Sequence, residues 1–445
     1  MTLRTVFLFT FLFGTIAGAQ IFIPFSNWNC QAPVVSVSDT LNADFVLGTT
    51  SNTTVSGASV VLSAGQTTGT FTSRVFDVIG NCPPLSLWKS VSWKASLPYG
   101  KLLPDFAGTI QNESVADYSA LASGSFMSGD LTSWHMQETS TGTAPGGLDV
   151  TDNSGNAVHG TLVGGITLNA VGKIGRAITF GGTNGYINFG TPATVTGLGN
   201  YSISFWIYPN SITTDQTIIY RSDNDLQEGF WVNLTATAQI HIQIVDASVD
   251  TEVFTVETLP LSTWSHVVMT TNSSLTSANT KVYINGVQAT YTGAVDGLGV
   301  HKAAATRPLS VGAPGTNSPG YLNARLQEMT IMGRIYTAAE VVELYRRGIN
   351  RVKMQFRSCI LSNCADLPIW QGPDGTAATF YTELYNNSIQ STWLGTVYPT
   401  SPVMTFSNFV NSAIPNNRYF QYKATLETDN TTYLPDLKSV VIIRP

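Results

Sequence analysis

Residues 117–348 repeat one pattern about ten times: a run of three to eight residues rich in Val, Ile, Phe and Tyr, closed by Gly, Asn, Asp or Ser. The runs fall at 177–180, 186–189, 201–208, 216–220, 230–234, 240–245, 264–270, 281–284, 309–311 and 326–332. Each has strand length, and β-branched and aromatic side chains fit a pleated, half-buried surface. Asn285-Gly286 between two such runs is the strongest short hairpin signal. A single helix is expected near the end of the stretch. Thr337 and Glu340 form a capping box ahead of 341–345, and Gly348 sits where a left-handed C-terminal residue is wanted. A many-stranded antiparallel domain over 117–348, closed by one helix, points to a jelly-roll sandwich.

The flanks are also strand-like but too short to stand alone. Residues 20–110 hold runs at 53–62, 68–77 and 87–95, the last alternating Trp88, Ser90 and Ser92 against Lys89, Val91 and Trp93. Three strands make too little core for stability in water. Residues 350–445 add runs at 352–358, 378–383, 418–427 and 437–443. Together they reach the strand number of a common antiparallel sandwich. The preferred reading is therefore a second, smaller β-sandwich built from both ends and split by an inserted domain; two separate small domains is the other reading. On either the fold class is all-β.

Composition narrows the function. With 11% charged and 43% hydrophobic residues, neither a disordered tail nor a coiled coil fits. The formal charge of -6 offers no basic face, so nucleic acid is excluded as a partner. Residues 1–19 carry one positive charge at Arg4, an uncharged run of Phe and Leu, and a small-x-small exit ending at Ala19, the pattern of a secretory signal peptide. The run is shorter than the roughly 20 residues that span a bilayer, and no later run reaches that length uninterrupted, so no transmembrane segment is expected. The destination is the cell surface or the medium. Export permits disulfides, and four cysteines allow three pairings. Cys359 and Cys364 are close enough for a bridge at a hairpin tip, which leaves Cys30 for Cys82; a zinc site is the competing reading, on a poor frame.

The order of motifs in 117–348 resembles the laminin-G-like, concanavalin A-type jelly-roll family. The likeness is carried by Asp152 to Asn156 with His159-Gly160, by 175–187, by Ser202 to Pro209, by Trp264 to Val268, by Val282 to Gly286, and by 324–340. The flanks at 69–77, 88–98, 418–423 and 435–440 resemble halves of a sandwich module of bacterial surface proteins. The resemblance implies a recognition role for the middle domain, toward a glycan or a cell-surface protein. It also implies a calcium ion tying an early loop to a late strand, which would use Asp152, Asn156 and Glu328. An Asx turn, in which these side chains bond their own backbone, is the alternative.

Catalysis finds little support in the residues. A retaining glycosidase needs two carboxyl groups about 5 to 5.5 Å apart, and the Glu-x-Asp-x-x-Glu strand of this superfamily's enzymes is missing. Glu252 and Glu257 should face opposite sides of a strand; Asp250 and Glu252 share a side but match no family site. There is no Gly-x-Ser-x-Gly elbow, and the histidines are scattered. No catalytic residue is therefore assigned. For ligand contact the candidates are Tyr220, Asp223, Asp225 and Trp231, aromatic and acidic groups around one loop. The leading reading is a non-catalytic recognition or adhesion protein. Its rivals are an extracellular glycoside hydrolase with carboxylates from separate strands, and a structural fibre or surface-layer component. Ligand identity and oligomeric state are not written in the sequence.

Overall fold

The computed structural model describes residues 36–77, 88, 90–103, 128–222, 229–272, 274–302, 307–314, 320–366, 368–382, 403–405 and 417–443. The proposed signal peptide, Cys30, Cys82, Asp223 and Asp225 lie outside the described residues. Within them the chain is nearly all β.

The middle of the chain forms two eight-stranded antiparallel sheets. One runs in the order Ile166–Val171, Arg176–Phe180, Ala324–Met332, Tyr201–Pro209, Ser265–Thr271, Lys281–Ile284, Val287–Gln288, with Asp130–Trp134 also pairing Ala324–Met332. The other runs Tyr291–Val295, Thr251–Thr258, Gln239–Ile244, Phe230–Leu234, Gln216–Arg221, Leu309–Val311, Tyr186–Asn188, Thr161–Val163. Their facing side chains, among them Phe205, Ile207, Phe230, Val232, Ile242, Leu309 and Leu326, make one continuous core. Asn285 and Gly286 both have positive φ between paired Ile284 and Val287, the two-residue turn their sequence specifies.

The central strands of the first sheet are buried on both faces, so Ser265–Thr271 has no exposed position, whereas the sheet's edge strands Ile166–Val171 and Val287–Gln288 keep exposed ones. Its outer side is covered by the Ala338–Ile349 helix, whose Val341 and Leu344 pack with Val268, Tyr283 and Met332. Thr337 Oγ1 accepts from Glu340 N (3.2 Å) while Glu340 Oε2 accepts from Thr337 N (2.8 Å), so the capping box forms. Gly348 departs from expectation. It lies inside the helix, and extended Asn350 leads directly into the next strand. A Cβ on Gly348 would meet Trp206 Cε2 at 2.8 Å. The glycine serves close approach to an indole, not a left-handed cap.

At the ends of the chain, N- and C-terminal strands pair. A four-stranded sheet runs Ser36–Asp39, Ser439–Ile443, Ser90–Lys94, Val403–Thr405; a five-stranded one runs Thr49–Ser51, Thr68–Thr72, Tyr419–Thr428, Asn350–Cys359, with Phe76–Asp77 also on Tyr419–Thr428. Phe71, Trp88, Trp93, Phe356, Phe420 and Tyr422 pack between them. Residues 53–62 are a hairpin of Thr53–Ser56 and Ser59–Leu62, not one strand, because Gly57 and Ala58 both take positive φ. Of the run expected at 378–383, the described residues 378–382 give only an isolated bridge, Tyr381 to Met354. Cys359 and Cys364 are bridged.

The described residues 101–103, which lead away from the end sheets, are anchored on the middle domain and its helix. Arg347 Nη2 donates to the Leu102 carbonyl (2.9 Å), and Leu103 N donates to Glu328 Oε2 (2.9 Å). Glu328 has φ +50, an uncommon backbone state for a non-glycine residue, beside the register shift in the Ala324–Met332 strand. Such a bulge re-aims a side chain, here onto the linker.

Candidate functional site

Strand alternation decides what the second sheet presents away from the core. In Phe230–Leu234 the even positions 230, 232 and 234 point into the core, leaving Trp231 and Asn233 outward; in Gln239–Ile244 the outward residues are Gln239, His241 and Gln243; in Thr251–Thr258 they begin with Glu252 and Phe254. Register then sets them in rows. One row reads Ser310, Tyr220, Trp231, Gln243, Glu252, Val295; the next reads Thr217, Asn233, His241, Phe254, Gly293.

The rows build an aromatic platform with polar groups beside it. Trp231 lies edge-on to Tyr220 (ring centroids 5.7 Å, 84°), and its Nε1 donates to Thr217 Oγ1 at 2.9 Å, which draws the indole toward Asn233's neighbour. His241 stacks on Phe254 at 3.9 Å and 6°, and its Nε2 lies 3.2 Å from Glu252 Oε2. Gly293 stands across from Phe254, where a Cβ would only touch the ring at 3.5 Å. Gln243 Nε2 donates to Asp250 Oδ2 at 2.7 Å.

Asn233 is the exception among these groups. It is 4% exposed, and its Oδ1 has no hydrogen-bond partner among the described residues. A buried amide left without a partner costs about 1–3 kcal/mol. Register places this amide between Trp231 and His241, at the centre of the platform.

Of the four ligand candidates, Tyr220 and Trp231 are direct cross-strand partners; Tyr220 is buried and braces the half-buried indole. Asn233, His241, Gln243, Glu252 and Phe254 lie outside that ligand set, and in the sequence Asn233 does no more than open an Asn-Leu-Thr run. The signal that finds them is alternation in three consecutive strands, but only register puts them side by side. Glu252 and Glu257 do not meet: Glu257 accepts from Thr290 N and Oγ1 beyond a bulge at Phe254/Thr255.

The three metal candidates are engaged as follows. Asp152 accepts from Ser133 N, Ser154 N, Ser154 Oγ and Val158 N, all at 2.9–3.0 Å. Asn156 Nδ2 donates to the Asp130 and Leu131 carbonyls, and Glu328 Oε1 lies 3.0 Å from His135 Nδ1. Bonds from an Asp side chain to its own loop are the Asx-turn pattern, and they account for the loop's shape. Among the described residues no three His, Cys, Asp or Glu side chains converge as a metal site. Burial, opposed by a hydrogen bond from Ser133 and reinforced by Asp152, pushes Asp130 up to about 7. Burial pushes His266 down to about 3, keeping it neutral between Ser204 and Trp206.

Residues 180–342 match the family described as the concanavalin A-like lectin/glucanases superfamily, laminin G type. The middle domain is laminin-G-like. No curated protein matches the sequence. Among solved structures the chain is similar to the binding domain of botulinum neurotoxin serotype D/C, at 16% identity and TM-score 0.40, covering 52% of this chain and 55% of that one. It spans little more than half of that domain's length. It is also similar to domain 4 of AbnA, an extracellular arabinanase from Geobacillus stearothermophilus, in complex with arabinotriose, at 23% identity and TM-score 0.34, covering 44% of this chain and 91% of that one.

Proposed function

We propose that the protein is an exported, non-catalytic recognition protein whose laminin-G-like domain binds carbohydrate on the outward face of its second sheet. The observation that carries this reading is the row of the Trp231 indole, the His241–Phe254 stack and, between them, Asn233, a buried amide whose Oδ1 has no partner among the described residues. Sugar rings stack their C–H faces on aromatic side chains and offer hydroxyls to amides, so this pairing of groups suits a saccharide. Export rests on the N-terminal sequence, and among the described residues no helix is long and apolar enough to cross a membrane.

The test is a glycan array with the full chain and with Trp231→Ala. The wild type should bind a defined set of saccharides and the variant should lose them while keeping its thermal transition. Cleavage of a polysaccharide that disappears in Glu252→Gln would replace this reading with the hydrolase one. Binding only to protein on whole cells, unaffected by Trp231→Ala, would move recognition to another surface.

A further inference from the structure

The charge of this face limits which saccharides it can take, an inference that rests on the proposed carbohydrate site. The eight strands of the second sheet contain a single Lys or Arg, Arg221. It is 1% exposed and points away from the face, donating to Pro192 O at 3.0 Å and Thr196 Oγ1 at 2.8 Å. The outward positions carry Glu252, and Asp250 is bonded to outward Gln243. His241 is the one basic side chain in the rows, and Glu252 already faces it.

The charged groups on this face are therefore all acceptors. The Glu252 and Asp250 carboxylates offer lone pairs beyond the bonds they already accept, Trp231 spends its N–H on Thr217, and the Asn233 amide brings both N–H donors and an Oδ1 without a partner among the described residues. A ligand that fits must bring hydrogen-bond donors and no negative charge. We infer that the site selects neutral, hydroxyl-rich saccharides and rejects uronic-acid, sulfated and sialylated ones. Two carboxylates within several ångströms of a ligand anion weaken its binding by roughly tenfold at low salt, and salt screens that penalty.

The experiment uses the full chain at about pH 8, above the ordinary histidine range. An array of neutral gluco-, manno-, galacto-, xylo- and arabino-oligosaccharides is set beside glucuronate-, galacturonate-, sulfate- and sialic-acid-containing ones. The strongest neutral binder is then compared with its C6-oxidised counterpart. Expected is neutral binding with the oxidised form about tenfold weaker, a ratio that shrinks in about 1 M salt and in Asp250→Asn/Glu252→Gln. Equal or tighter binding of the acidic forms overturns the charge argument while leaving the carbohydrate reading intact. A folded protein that binds no saccharide at all overturns both.

Discussion

Gly348→Ala inverts the usual expectation for a helix. In an unconstrained helix interior the change stabilises by about 1 kcal/mol. Here the added methyl would meet Trp206 Cε2 at 2.8 Å, closer than carbon atoms tolerate. The indole has little room to retreat: it is 3% exposed, stacks on Tyr345 at 5.8 Å and lies against His266 at 5.0 Å, with the Lys173 ammonium 5.4 Å from its centroid. Overpacking of a tight contact costs about 1–3 kcal/mol. Set against the propensity gain, the net effect is a loss of about 1 kcal/mol, or roughly 2–4 °C in a domain of this size. Thermal unfolding of wild type, Gly348→Ala, Trp206→Leu and the double variant measures it. The alanine should lower Tm beside tryptophan and raise it beside leucine. A higher Tm for Gly348→Ala in the wild-type background refutes the close-approach argument.

Other outcomes follow from the same contacts. Asp130 has its pKa raised in the folded state, so its contribution is present below the ordinary carboxylate value and is lost as pH rises through about 7, at most about 4 kcal/mol; Asp130→Asn should gain on wild type in urea midpoint across that window, and parallel curves would contradict it. Asp152→Ala strips the acceptor from three backbone N–H groups and should cost more than about 3 kcal/mol. If calcium raises the Tm of wild type but not of Asp152→Asn, an ion joins the Asx turn there. Cys359→Ser opens a five-residue bridge and should cost about 2 kcal/mol, read as a lower chemical-denaturation midpoint; no change would mean the hairpin tip is held by other contacts.

Local signals in the sequence carried far. The Thr337–Glu340 box, the Asn285-Gly286 turn and the Cys359–Cys364 bridge each depend on residues a few positions apart, and each forms. What stayed hidden depends on distant partners. Asp130–Trp134 is absent from the strand-like runs of the sequence, yet it is a strand because Ala324–Met332 pairs with it. Ile166–Val171 alternates through Asn169 in sequence and in exposure, yet Asn169 takes φ +63 where the pairing with Arg176–Phe180 shifts register, which no local pattern announces. Gly348 looked like a cap because nothing local reveals Trp206. The candidate face was half legible: Tyr220 and Trp231 were visible as aromatics near a loop, whereas Asn233, His241 and Phe254 become neighbours only through the pairing of three strands.

The most direct test is a saccharide titration followed by NMR, watching the side-chain amide of Asn233 and the indole N–H of Trp231, assigned with Asn233→Asp and Trp231→Phe. Both signals should shift together and saturate with a bound neutral oligosaccharide. Saturable binding that leaves both unmoved contradicts the account.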